Sequence, residues 1–426
     1  MNIEQIHRLF LECTSACTDT RKIKNNDMFF ALKGDNFNGN TYAEQALASG
    51  AKYCIIDEDA YKTSEKTILV NDVLETLQEL ATFHRQYLNV PILAITGSNG
   101  KTTTKELINA TLSQKFKTTA TVGNLNNHIG VPLTLLSMTK DTEIGIVEMG
   151  ANHQKEIEFL SSIAKPDYGY ITNFGKAHLE GFGGVKGVIK GKSELYDFLI
   201  KNNKIIFVNA NDPIQIRKTK KAHVFTFGNT VSGTNVSISF VEAQPFVSCL
   251  YKGIIIQSQL IGEYNFNNIA VAITIGDYFE IEPNKIKLAI ENYVPTNNRS
   301  QIIEKGTNKI ILDAYNANPT SMRAALLNFE KQSGFKTAIL GDMFELGKSA
   351  KSQHQTIADL ALSLNIDQLI FVGENFFQSK INSEKAMKFK SFEDLKNLSD
   401  MSKLQNTLLL IKGSRGMALE RVLELL

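Results

Sequence analysis

The segment ILAITGSNGKTTTK (92–105) constrains this chain more than any other. An apolar run of strand length enters a turn of Gly97, Ser98, Asn99 and Gly100, and Lys101 and Thr102 then open a helical pattern. The backbone N–H groups of such a turn join those of the helix N-terminus and form an anion cradle. Lys101 is placed to reach the outer phosphates of a nucleotide, and Thr102 to hold a magnesium ion. The glycine spacing departs from the usual phosphate-loop pattern, whose first glycine would fall where this chain has Ile95. A buried strand feeding a helix in this way predicts a parallel, doubly wound sheet.

The flanking sequence extends that prediction. From about residue 89, EIGIVEM, DYGYITN and KIIFVNA read as buried strands, with a helix near 185–201. Residues 223–262 read as short antiparallel strands, and a helix follows at 265–279. The pattern breaks at VPTNNRS (294–300). The alternation then resumes with KIILDAY, KTAILGD, QLIFVGE and TLLLIKG as strands, each followed by a helical stretch, the last being GMALERVLELL. Before residue 89 the runs are shorter: MFFAL (28–32), YCIID (53–57), and helices near 42–49 and 72–87. Lys33 to Asn40 reads as a loop, because Gly and Asn favour turns. The expected fold is α/β in three domains. Residues 1–88 form a smaller α/β domain, 89–295 a P-loop-type parallel sheet with a small antiparallel portion, and 296–426 a Rossmann-like domain. A length of 426 residues fits that number.

Charge and cysteine content exclude several classes. Lys plus Arg is 46 and Asp plus Glu is 44, a net +2, too balanced for a nucleic-acid binder. No apolar run reaches the ~18 residues of a membrane span. The opening MNIEQIHRLFLE lacks the basic region and apolar core of a signal peptide. Cys13, Cys17, Cys54 and Cys249 make neither a disulfide framework nor a zinc site, so a reduced cytoplasmic setting is expected.

Three more positions bear on chemistry. Glu148 ends the strand EIGIVEM, where a carboxylate suits a nucleotide-bound magnesium, although a solvated strand end reads the same way. His178, in ITNFGKAHLEGFG (171–183), is either structural or a metal or phosphate contact. Lys192 reads by pattern as a helix-surface lysine.

With GNLNNHIGVPLT (123–134), EMGAN (148–152), DAYNANPT (313–320), DTR (19–21) and FFALKG (29–34), these segments resemble the Mur ligases. Those are the ATP-dependent amide-bond ligases of peptidoglycan synthesis, and the resemblance runs in order along nearly the whole chain. Within the family the motifs look like the member that joins D-Ala-D-Ala to UDP-MurNAc-tripeptide. The resemblance implies ATP and two magnesium ions as cofactors, an acyl-phosphate intermediate, a cytoplasmic monomer, and a role in cell-wall biogenesis, cell shape and division. It implies a catalytic set of Lys101, Glu148, His178, Lys192 and Arg299. Magnesium would be held by Thr102, Glu148, His178 and, if carbamylated, Lys192. ATP would be bound by Gly97, Ser98, Asn99, Gly100, Lys101, Thr102, Thr103, Asn268, Arg299, Asp313 and Asn316. Asp19, Arg21, Phe37, Gly39, Asn126 and Asn127 would bind the sugar-peptide substrate. Tyr264 stands where the family has a His, and no role attaches to His128. For Asp313 and Asn316 an Asx-type turn before Pro319 is the alternative. Three domains would close around one cleft, the first binding UDP, the second ATP and metal and the third the incoming D-Ala-D-Ala, hinged near 293–300.

Overall fold

Three parallel-dominated sheets follow one another along the chain, and the computed structural model describes residues 1–229, 233–296 and 298–426. Asn297, inside the expected hinge, lies outside the described residues, as do 230–232 inside the expected antiparallel region.

The first sheet has four short parallel strands, in the order Ala16–Cys17, Met28–Phe30, Tyr53–Ile56 and Thr67–Leu69. Lys33 to Asn40 is more ordered than a loop, since Lys33–Gly34 and Phe37–Asn38 pair as a small hairpin. The helix Val73–Leu88 is capped by Asp72, whose carboxylate accepts from the Glu75 N–H at 2.7 Å. It buries Val73, Leu77, Leu80, Ala81 and His84, the spacing of one helical face. That face packs into a cluster that also takes in Ile92 of the central sheet and Val131 and Leu160 of the helices covering it.

The central sheet has nine strands, and Ile92–Thr96 lies between Tyr168–Ile171 and Ile144–Glu148. The chain winds outward in both directions from there, so a crevice opens at the C-terminal ends of these strands. The antiparallel portion is smaller than expected. His223–Gly228 pairs parallel with Ile205–Asn209, and antiparallel pairing begins only between Val236–Ala243 and Val247–Tyr251.

The third sheet runs Gln301–Lys305, Asn308–Asp313, Thr407–Lys412, Phe335–Gly341, Gln368–Val372 and Ala386–Phe389. All four expected strands are present and parallel. Two more strands flank them: Gln301–Lys305 is antiparallel to its neighbour, and Ala386–Phe389 is parallel. The closing segment is not an α-helix. It forms the 3-10 turns Arg415–Met417 and Leu419–Glu424, separated by Ala418 in the left-handed region at φ 47°.

Candidate active site

The phosphate loop is clasped from behind by residues 172–175. Thr172 Oγ1 and Asn173 Nδ2 donate to the Asn99 carbonyl at 2.6 and 2.9 Å, and Ser98 Oγ donates to the Gly175 carbonyl at 2.8 Å. This clasp explains the unusual glycine spacing. A Cβ at Gly97 would lie 2.0 Å from Thr172 Oγ1, and one at Gly100 2.8 Å from Asn268 Oδ1. Both glycines also hold positive φ, 141° and 79°. Asn268 acts as a strut beneath the loop: its Oδ1 accepts from Thr104 Oγ1 at 3.0 Å and its Nδ2 donates to Asn265 at 2.8 Å.

A cavity of about 790 Å³ lies in front of the loop. Ser98, Asn99, Gly100, Lys101, Thr102 and Thr103 line it, with Asn126, Asn127, Glu148, His178, Asn268, Arg299, Asp313 and Asn316. Fourteen sequence-predicted residues thus meet in one space drawn from the central and third sheets. Lys101 Nζ folds back onto the Gly97 carbonyl at 2.8 Å. Burial lowers its pKa, the Arg299 charge lowers it further, and Glu148 opposes both. Glu148 is buried: Oε1 accepts from Asn126 Nδ2 at 2.8 Å, while Oε2 has no partner. A buried carboxylate oxygen left unpaired is costly and fits a cation. Among the described residues no three His, Cys, Asp or Glu side chains gather as a metal cage.

His178 sits at the start of a short helix, in the left-handed region at φ 50°, and its Nδ1 faces the Glu345 carboxylate of the third sheet. Contact with the imidazole holds the Glu345 carboxyl below its ordinary value. Arg299 stacks on Tyr315, with 3.6 Å from its Cζ to the ring centroid. Asp313 accepts from Lys412 Nζ at 2.6 Å. Asn316 Oδ1 accepts from the N–H of the next residue, Ala317, at 2.8 Å, which is one residue short of an Asx turn.

Other expected residues lie elsewhere. Lys192 is not on a helix surface. It is 1% exposed, does not line the cavity, and donates to the Ala151 carbonyl at 3.0 Å from behind the wall. Burial, and then the Lys101 charge, lower its pKa. Gly97 also stands behind the lining. Asp19, Arg21, Phe37 and Gly39 are on the first sheet's side and do not reach this cavity. Asp19 and Arg21 pair with each other at 2.9 Å, which holds the Asp19 carboxyl at about 2. Phe37 stacks on Tyr42 with centroids 5.4 Å apart, and both rings are exposed. Tyr264 hydrogen-bonds Ser300 at 3.0 Å and lines the cavity beside Asn268.

Comparison with known proteins agrees along the whole chain. Residues 13–91 match the Mur ligase family catalytic domain, 95–276 the Mur ligase middle domain, and 298–415 the Mur ligase glutamate ligase domain. The UDP-N-acetylmuramoyl-tripeptide–D-alanyl-D-alanine ligase of Bacillus subtilis is 32% identical over 96% of this chain and 92% of its own length. The chain belongs to the Mur ligase family. A crystal structure of MurF from Acinetobacter baumannii superimposes with a TM-score of 0.86 at 28% identity, covering 99% of this chain and 97% of that one. MurF from Thermotoga maritima in complex with ADP gives 0.82 at 26% identity, covering 98% and 97%.

Beside this family framework stand lining residues that sequence reasoning missed. Tyr315, Asn318, Phe344, Glu345, Lys412 and Arg415 all reach the cavity from the third sheet. Asn318 Nδ2 donates to Asn99 Oδ1 at 2.6 Å and so links the third sheet to the phosphate loop. Polar residues at strand C-termini were the available signal, and Lys412 and Ser414 carry it.

Proposed function

We infer that this chain is an ATP-dependent ligase that joins D-alanyl-D-alanine to UDP-N-acetylmuramoyl-tripeptide, giving the pentapeptide precursor of peptidoglycan. The observation that carries this is the single cavity shared by the phosphate loop, Glu148, His178 and the third sheet's strand ends. A carboxylate and a phosphate must meet there, so positive charge has to gather where negative charge develops.

The tripeptide carboxylate attacks the γ-phosphorus of ATP, the bond to ADP breaks, and an acyl phosphate forms. The dipeptide amine then attacks the acyl carbon, loses a proton, and phosphate departs. In this reading Lys101 exchanges the Gly97 carbonyl for phosphate oxygens. Arg299, oriented by Tyr315, meets the γ-phosphate. Asp313 and Asn316 approach the nucleotide from the third sheet, and Asn126 and Asn127 meet the peptide. Thr102 and Glu148 would hold one magnesium ion, and His178 a second, with Lys192 if carbamylated. Bound magnesium would neutralise the phosphate oxygens as charge shifts between them. The unpaired Glu148 Oε2 supports that assignment. Asp19, Arg21, Phe37 and Gly39 would hold the UDP end, with the exposed Phe37–Tyr42 pair as an apolar platform. We place the domain limits at 1–88, 89–295 and 296–426. No helix among the described residues is long and apolar enough to cross a membrane.

Phosphate release from MgATP tests the reading, with D-Ala-D-Ala and UDP-MurNAc-tripeptide supplied separately and together, the tripeptide in both diaminopimelate and lysine forms. Release only with both substrates, and a pentapeptide by mass, is the expected result. No release with either tripeptide would sink it.

A further inference from the structure

Two residues of the site are carried by different parts of the central domain. Thr102 belongs to the first turn of the helix Lys101–Leu112, and Glu148 ends the strand Ile144–Glu148. In the ligase reading above they hold one magnesium ion between them, so their spacing matters. The helix carries a second lysine, Lys105, three residues after Thr102 and so on the same face. Lys105 is 4% exposed and does not line the cavity. Its ammonium donates to the Thr121 carbonyl at 2.7 Å. Thr121 follows the edge strand Thr118–Ala120, is buried, and stands outside the lining too. Its hydroxyl oxygen accepts from the Glu148 backbone N–H at 3.0 Å, and its own N–H donates to the Ile146 carbonyl at 2.9 Å. Thr121 thus takes the lysine at one end and the backbone of the glutamate at the other.

Packing does not account for the ammonium. The one carboxylate it meets among the described residues is Glu106 Oε1, at 3.6 Å. That is beyond hydrogen-bond reach, and Glu106 Oε2 already accepts from the Tyr293 hydroxyl at 2.6 Å. Burying a charge without a bonded counterion is costly, and an apolar side chain of similar volume would fill the space at less cost. The two lysines of this helix divide their tasks. Lys101 lines the cavity, and Lys105 ties the helix to the segment that braces Glu148.

We propose that Lys105 is a positioning residue for the metal site. Through Thr121 it fixes the helix that carries Thr102 against the strand that carries Glu148, and so sets the spacing of the two oxygen ligands. Magnesium demands near-ideal octahedral geometry, so a small drift of the helix weakens its hold. This role rests on the ligase reading above.

The test is metal binding by the full chain in the presence of a non-hydrolysable ATP analogue, with Mn2+ as a paramagnetic probe and Mg2+ as its competitor. Lys105→Met should raise the half-saturating metal concentration about tenfold, as removal of a group that orients a metal ligand does. Affinity for the nucleotide without metal should stay within about twofold. Lys105→Arg, which keeps a donor for the carbonyl, should fall between. Thr121→Val keeps the carbonyl but removes the hydroxyl, and should match Lys105→Met. The double variant should be no worse than the worse single one, because both lie on one path. Should Lys105→Met fail to fold, Lys105→Arg and Thr121→Val decide. If the variants lower Tm but leave the metal concentration unchanged, Lys105 is only a structural tie, and the proposal fails while the ligase reading stands. Fully additive effects would likewise overturn the path through Thr121. If the wild-type protein binds no metal with the nucleotide, the ligase reading has failed, and this role with it.

Discussion

The central sheet meets its two neighbours across seams of opposite character. Toward the first sheet, one buried apolar cluster runs from Ile6, Phe30 and Leu80 to Val131 and Leu160. Polar pins reinforce it: Arg85 Nη2 bonds Asp167 Oδ2 at 2.6 Å, and His84 Nε2 meets the Met138 carbonyl at 3.0 Å. Toward the third sheet the clusters stay largely separate, and Ile261 is the one buried residue that crosses, among those described. That seam is held by polar contacts instead. They include Asn318 with Asn99, the Lys176 N–H with Thr320 Oγ1 at 3.0 Å, Tyr264 with Ser300, and His178 with Glu345. Parting the first seam would return apolar surface to water at about 25 cal/mol per Å². Parting the second exchanges a few hydrogen bonds for water, at about 1 kcal/mol each. A seam around a cavity that must admit substrates and exclude water is best made of the second kind.

Four measurements would break or sharpen this contrast. The largest effect belongs to the cavity. Lys101→Ala should lower kcat by about 1,000-fold with little change in Tm, because its ammonium touches only loop carbonyls in the resting protein. Steady-state kinetics beside a melting curve checks both halves. Leu80→Ala should do the reverse, costing about 3 kcal/mol of stability while leaving kcat per folded molecule unchanged. A large kcat loss there would mean that the first seam also moves during turnover.

Asn318→Asp keeps the helix cap, in which Oδ1 accepts from the Ser321 N–H, but removes the donor to Asn99, one polar pin of the second seam; it should raise KM for ATP about fivefold, with Tm nearly constant. A drop in Tm as large as that of Leu80→Ala would erase the distinction between the seams. The smallest effect is a pH dependence in the first seam. His7 Nε2 and His84 Nδ1 lie 3.0 Å apart and buried. Burial, and then the His84 charge, push the His7 pKa down to about 4. The fold therefore prefers the neutral ring. Its contribution is complete above the ordinary histidine range near ~6.5 and is lost as pH falls toward 4. Tm should decline over that window, and His7→Leu should shrink the decline by a few degrees. A profile identical in the variant would remove the pair from the account.

The two walls of the cavity also differ in how far they could be read in advance. The phosphate loop was legible because strand, turn, lysine and helix are consecutive. Glu148 followed because it ends a strand of the same sheet, whereas His178, in the loop after Tyr168–Ile171, took a metal role only from the family resemblance. Lys192 was half legible. Periodicity predicts its helix, but its burial depends on the helix Glu156–Ala164 packing across it, with Glu194 accepting from the Lys155 and Glu158 N–H groups at 2.7 and 3.0 Å. Glu345 and Arg415 stand in separate loops, and nothing local distinguishes them from surface charges. Only the pairing of their two strands brings them together. In the first sheet, strands of two to four residues are too short for a reliable period. The closing segment misled because its helical pattern is interrupted by Ala418 at positive φ.

Periodicity and residues adjacent in the chain were enough for the α/β class, the parallel sheets, the family and the Gly97–Thr102 turn into its helix. Tertiary structure alone decided which seam is apolar and which is polar, that Lys192 is buried, and that Phe344, Glu345 and Arg415 share one wall. Those properties depend on which strands become neighbours, and strand pairing is settled by burial of the whole sheet rather than by any local stretch of residues.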